Sequence, residues 1–246
     1  MRPADYDRSV FVNCPLDDEY RYLLDAVVFT INDCGYITRL ALEVADGSEV
    51  RIDKIAKIIR ECRFGFHDIS RTAADAVTNL PRFNMPLELG LFLGAKRFGS
   101  AKQKHKSCLI ADIERYRFQK FISDIAGQDI AAHGGDAEVA IHIVRDWLRS
   151  VTPKSIRIPG GSAVHSRYIA FRGELPSLAA KLHMRVDELT FIDYVNQVED
   201  WLALNPRVND SPHLLKNIAT PIASPITTTA LRTNVRPRRW AMRAPR

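Results

Sequence analysis

Three short stretches of the chain bring together side chains that can do chemistry. Asn13, Cys14 and Asp17 end or follow the apolar run Ser9 to Asn13. Asp68, Ser70 and Arg71 end or follow the run Phe64 to Ile69, and Glu88 comes four residues after Asn84. Carboxyl groups in such positions can move protons, attack carbon or stabilise a developing cation, while guanidinium groups hold anionic parts of a ligand. Each residue also has a plainer reading. Glu88 in the first turn of a helix would complement the helix dipole, for roughly a few tenths of a kcal/mol. Asp68 and Ser70 can turn the chain after a strand, and Asp17 and Asp18 can cap a helix. Cys14 has no His near it in sequence to activate it. His67 reads as a core histidine, and His133, before Gly134-Gly135, as a loop residue outside any phosphate-binding glycine fingerprint. Cys14, Cys34, Cys62 and Cys108 form no CxxC pair and lack His at zinc-ligand spacing, so they read as reduced thiols and no metal site is expected.

Hydrophobic periodicity describes the scaffold that must position these groups. Ser9 to Asn13 reads as a buried strand stopped at Cys14-Pro15, and the helix after it has apolar residues at Tyr20, Leu23, Leu24, Val27, Val28 and Ile31. Tyr36 to Leu42 reads as a second strand, Glu43 to Glu49 as a polar loop, and a second helix carries Ile52, Ile55, Ile59 and Cys62. Phe64 to Ile69 is a third strand. After an irregular loop from Arg71 to Phe83, Asn84 is placed to cap a helix over about Met85 to Phe98. Pro86 and Glu88 then fall in its first turn, where the backbone N–H groups and dipole would hold Glu88 ionised. Gly90 and Gly94 would let the helix approach the sheet closely. Ser107 to Ala111 makes a fourth strand and Ala137 to Val151 an amphipathic helix.

This alternation predicts an α/β fold with a doubly wound, mostly parallel, flavodoxin-like sheet. In such sheets the ligand crevice lies beyond the carboxyl ends of the strands. The α/β domain is expected over residues 1–152, with Pro153, Pro159, Gly160 and Gly161 marking its boundary. Helices near Ala163 to Phe171, Pro176 to His183 and Val186 to Leu204 predict a helical appendage over residues 153–206. The Pro-, Thr- and Arg-rich residues 207–246 are expected to be a disordered tail.

A composition 46% hydrophobic and 26% charged is that of a globular protein able to bury a sizeable core. The net charge of +6 is uneven: residues 207–246 hold eight Lys and Arg against one acid, the first 206 residues 27 against 28. Basicity therefore gives the folded part no affinity for nucleic acid, leaving only weak contact through the tail. Leu178 to Trp201 has a helix-turn-helix outline, but Val186 to Leu204 carries Asp187, Glu188, Asp193, Glu199 and Asp200 and no basic residue. A recognition helix needs Lys, Arg, Asn or Gln towards phosphates and base edges, so a packing or oligomerisation helix is the better fit. No apolar run approaches the roughly 20 residues that cross a bilayer, and the N-terminus has no signal-peptide core, which predicts a cytoplasmic protein without membrane contact.

The segments SVFVNCPLDDEYRYLLDAVVFTINDCG and ADGSEVRIDKIAKIIRECRFGFHDIS resemble the first strand, acidic loop, glycine-containing second loop and third strand of TIR domains. NMPLELGLFLGAKRFG is similar to the TIR segment that carries a glutamate followed by Leu. It resembles still more closely the Asn-x-x-x-Glu-Leu-Gly run of nucleoside 2-deoxyribosyltransferases and related nucleotide-binding proteins. The resemblance covers residues 8–152. It implies a carboxylate acting on an N-glycosidic bond through an oxocarbenium-like state, with NAD or a related nucleotide as substrate or ligand and no further cofactor. Glu88 matches the catalytic glutamate and Asp68 the second acid. Ser70 and Asn84 join Asn13 as polar partners of the substrate, and Arg51 is placed to meet a phosphate. The resemblance further implies a role in bacterial defence or signalling and homo-oligomeric assembly. Met85-Pro86-Leu87 replaces the Trp-Cys that often precedes the TIR glutamate, so a nucleotide-sensing or assembly module without turnover is a second reading. Deoxyribosyl transfer is a third.

Overall fold

The computed structural model describes residues 5–43, 46–72 and 81–207. The tail after Arg207 and most of the loop expected between Arg71 and Phe83 lie outside the described residues. Five strands, β1 (Ser9–Asn13), β2 (Ile37–Arg39), β3 (Phe64–Asp68), β4 (Ser107–Asp112) and β5 (Ile130–Ala132), form one all-parallel sheet in the order β2-β1-β3-β4-β5. This is the α/β, flavodoxin-like arrangement, with its topological switch point between β1 and β3. Strand β5 escapes the periodicity: it is three residues long, two of them Ala, and only half-buried.

Helices α1 (Arg21–Asp33) and α4 (Ala137–Val151) cover one face of the sheet, α2 (Arg51–Glu61) and α3 (Asn84–Phe98) the other. The alternation of side chains along each strand decides which layer a residue serves. Val10, Val12, Phe64 and Phe66 join the core under α1 and α4, whereas Phe11 packs with Ile55, Ile58, Ile59 and Phe92 under α2 and α3. By the same parity Asn13 and His67, which are register partners, fall on the α3 side. Asp68 falls on the α1 side.

Two helix expectations change. Asn84 is the first helical residue of α3 and not its cap, because Phe83 takes the capping position without a side-chain hydrogen bond. Glu88 therefore sits in the second turn. Gly90 and Gly94 do not face the sheet: a Cβ on either would meet nothing within 4 Å. The close approach is made at Gly65 on β3, where a Cβ would strike the rings of His67 and Phe92.

Beyond residue 152 the three expected helices are two, α5 (Gly161–Lys181) and α6 (Phe191–Leu204). Pro176 lies exposed inside α5, and the buried stripe of Val164, Tyr168, Phe171, Leu175 and Ala179 runs straight past it. Burying five such residues outweighs the one hydrogen bond a helical proline removes. Thr190 caps α6 in a reciprocal box, its Oγ accepting from Asp193 N at 3.2 Å and its own N–H donating to the Asp193 carboxylate at 3.0 Å. Phe191, Tyr194, Val198 and Trp201 of α6 point into the core. The Phe29 ring of α1 meets Tyr168, Phe171 and Trp201 at centroid distances of 5.5, 5.4 and 5.9 Å. The helical appendage is thus a third helical layer that shares the core of the α/β domain. No helix among the described residues is long and apolar enough to cross a membrane.

Candidate functional site

At the switch point, the ends of β1 and β2 diverge from the starts of α2 and α3 and leave a cavity of about 230 Å³. Asn13, Cys14 and Asp17 line it from β1 and the turn after it, Leu40 and Ala41 from the end of β2, Arg51 from the start of α2, and Asn84, Met85 and Glu88 from α3. Asn13, Arg51, Asn84 and Glu88 therefore meet in one place, as the sequence reading requires. The β2 wall is braced by Arg39, a buried guanidinium held by Glu43 at 2.6 Å and Glu61 at 3.0 Å.

Glu88 is buried, and burial pushes its carboxyl from the ordinary 4.5 up to about 7, with the Arg51 guanidinium pulling the other way. The expected dipole effect does not set this group: Glu88 stands one residue further from the helix start than expected, and burial is the largest influence on it. At neutral pH the group is divided between carboxylate and acid. Cys14 goes in the opposite functional direction. Burial, then the nearby Asp68, Glu88 and Asp17 carboxylates, hold its thiol well above the ordinary value, so it carries no thiolate to attack with.

Asn13 is buried where β1 ends. Its Nδ2 donates to the Met85 carbonyl at 2.8 Å and lies 3.0 Å from His67 Nδ1. His67 is fully enclosed between the rings of Phe11 and Phe92, at 5.8 and 4.9 Å, and burial first, then Lys106, lower its pKa to about 3. The ring is neutral, and its Nε2 has no hydrogen-bond partner. An enclosed donor without a partner costs about 1–3 kcal/mol, a cost an apolar residue would avoid.

Asp68 and Ser70 do not reach the cavity. Strand alternation turns the Asp68 carboxylate to the α1 side, where it accepts from the Tyr20 hydroxyl and from Ser70 N at 2.8 Å. His133 Nε2 is 2.9 Å from the same carboxylate, in poor line with the ring N–H, while His133 Nδ1 accepts from Gly135 N at 3.0 Å. Gly134 and Gly135, at φ 61° and 77°, make the left-handed turn that folds His133 back. Beside them Asp112, at the end of β4, is held by Arg117 Nε at 2.9 Å. Asp68 is a buried acceptor for the Tyr20 hydroxyl and the Ser70 N–H, and Ser70 closes the turn after β3.

The sequence reading missed Met85 and Arg82 as lining residues; it brought Asp17 to the crevice after β1 but favoured a helix cap over a ligand contact. Asp17 does not cap α1, whose capping position is Tyr20 without a side-chain hydrogen bond; it closes the turn before the helix, accepting from Tyr20 N at 3.0 Å, and it also lines the cavity while bridging Arg71 at 3.2 Å and Arg82 at 3.4 Å. Among the described residues no group of three or more His, Cys, Asp or Glu is placed to hold a metal ion. Chemically the site offers one desolvated carboxyl, a guanidinium opposite it and amides between, an arrangement able to hold a sugar and stabilise positive charge at its anomeric carbon. No family model, curated protein or solved structure matches the chain.

Proposed function

We propose that the protein is a TIR-like N-glycoside hydrolase that cleaves the bond between base and ribose in NAD or a related nucleotide, with Glu88 as nucleophile or electrostatic stabiliser. The observation that supports this reading is the Glu88 carboxyl itself, desolvated in a cavity at the switch point with Arg51 across from it. A desolvated carboxylate is a stronger partner for an oxocarbenium-like carbon than a solvated one. Asp68 lies outside the cavity, and Asp17, the other carboxylate that lines it, is paired with Arg71 and Arg82, a setting unsuited to protonating a departing base. Nicotinamide leaves as a neutral molecule from a pyridinium and needs no such proton, so NAD suits this site better than a deoxynucleoside. A cavity of about 230 Å³ is smaller than the roughly 300–1,000 Å³ of most small-molecule sites, so it takes the reacting end of the ligand, with Arg51 in its lining to meet a phosphate. A role in bacterial defence or signalling, and assembly of copies, belong to the same reading.

The test is chromatography of NAD and of deoxynucleosides after incubation with the purified protein. Nicotinamide release by the wild type should fall at least roughly 100-fold in Glu88→Gln. Release unchanged in that variant would remove Glu88 from catalysis. No release under any condition, forced assembly included, would favour a nucleotide-binding module without turnover.

A further inference from the structure

The Asn13 side chain has one orientation that chemistry allows. Met85 O can only accept, so the Asn13 atom 2.8 Å from it must be the amide nitrogen. That nitrogen is also 3.0 Å from His67 Nδ1, which must therefore be the unprotonated acceptor of the ring, leaving the hydrogen on Nε2. Both amide hydrogens are consumed. The carbonyl Oδ1 is absent from the enclosed atoms that lack a partner, no hydrogen bond among the described residues reaches it, and the residue lines the cavity. Rotating the amide would set two oxygens against each other at Met85 and give the ring nitrogen nothing to accept.

We infer that the Asn13 amide, held by Met85 O on one side and by His67 Nδ1 on the other, fixes the hydrogen-bond polarity of the cavity: it presents Oδ1 as a permanent acceptor beside Glu88, selecting a ligand hydroxyl. The inference rests on the proposed sugar-nucleotide reading and adds the group that is recognised. It also accounts for an enclosed His67 Nε2 without a partner: the orphan N–H is the consequence of keeping Nδ1 free to accept. The neutral state of His67 keeps the lock closed across ordinary pH. Gly65 and the Phe11 and Phe92 rings hold the imidazole in that place. His67 is a positioning residue, and Asn13 makes the contact.

Binding of ribose 5-phosphate and of its 2-deoxy and 3-deoxy counterparts, measured by calorimetry, tests this without a base to release. The wild type should bind at least one deoxy probe roughly tenfold more weakly than ribose 5-phosphate, the loss of one neutral hydrogen bond. In Asn13→Ala that penalty should shrink to under about twofold while the deoxy probe binds much as before, and in His67→Phe, which frees one amide hydrogen but keeps the Met85 bond, it should fall by less, whereas a general loss of structure would weaken every probe. Asn13→Ala stands alone as the test if His67→Phe does not fold. A penalty that persists in full in either folded variant, a wild type that shows none, or a wild type that binds no ribose 5-phosphate overturns the inference. Failure of nicotinamide release with the hydroxyl penalty intact would remove the catalytic reading and leave this one standing.

Discussion

Glu88 couples chemistry to stability. Its folded-state pKa of about 7 lies above the ordinary 4.5, so between these values the folded chain keeps a proton that the unfolded chain releases. Stability from this group is fully present below pH 4.5 and is lost as pH rises through about 7, a change of roughly 3 kcal/mol for a shift of this size. Glu88→Gln, with the same shape and no charge, should therefore unfold at a higher urea concentration than the wild type at pH 8 and near the same concentration at pH 4.5. Equal shifts at both values would mean that the carboxyl is not desolvated. The same titration sets the rate. If the carboxylate is the reacting form, nicotinamide release should climb tenfold per pH unit and level off above about pH 7. A profile flat from pH 5 to 8 would exclude a reacting carboxylate with this pKa.

At the scale of elements, strand parity explains which of the expected site residues were legible. Asn13, Arg51, Asn84 and Glu88 sit at the right ends of the right elements, and strand-helix alternation was enough to bring them together. Asp68 is also at a strand end, but one residue of register separates it from His67, and one residue is enough to send a side chain to the other face. The end of β3 was not sharp enough in the sequence to decide that. Asp68→Asn keeps the volume and one acceptor, so it should leave base release within a few-fold of wild type. Asp68→Ala strands the Tyr20 hydroxyl and Ser70 N–H and should cost about 2–4 kcal/mol in urea unfolding. Loss of release in a stably folded Asp68→Asn would return Asp68 to the chemistry. The pairing of His67 with Asn13 was illegible for a different reason: neither residue shows in sequence that it belongs to the other, and only the β1–β3 register puts them side by side.

For the whole molecule, the Pro/Gly-rich segment after residue 152 reads in sequence as a boundary, yet packing runs across it. Local composition reports where the chain turns, not whether the next element is buried against the last. Phe29, central in α1, has its ring neighbours in α5 and α6, and Arg167 and Arg207 both reach its near neighbour Asp33, at 3.0 and 3.1 Å. Trp201→Ala should lower stability by about 3–5 kcal/mol in a single cooperative transition seen alike by far-UV and near-UV circular dichroism. Two separate transitions, the first removing only part of the helical signal, would show instead that the C-terminal helices unfold on their own.

The sheet ends on both sides in a strand of only three residues, β2 at one edge and β5 at the other. An edge this short offers few backbone groups on which another extended chain could build, the feature by which natural sheets resist growing into fibrils. Contacts between copies of this protein would then be made by side chains on helices, which can be tuned and reversed, and not by extension of the sheet, which tends to be permanent.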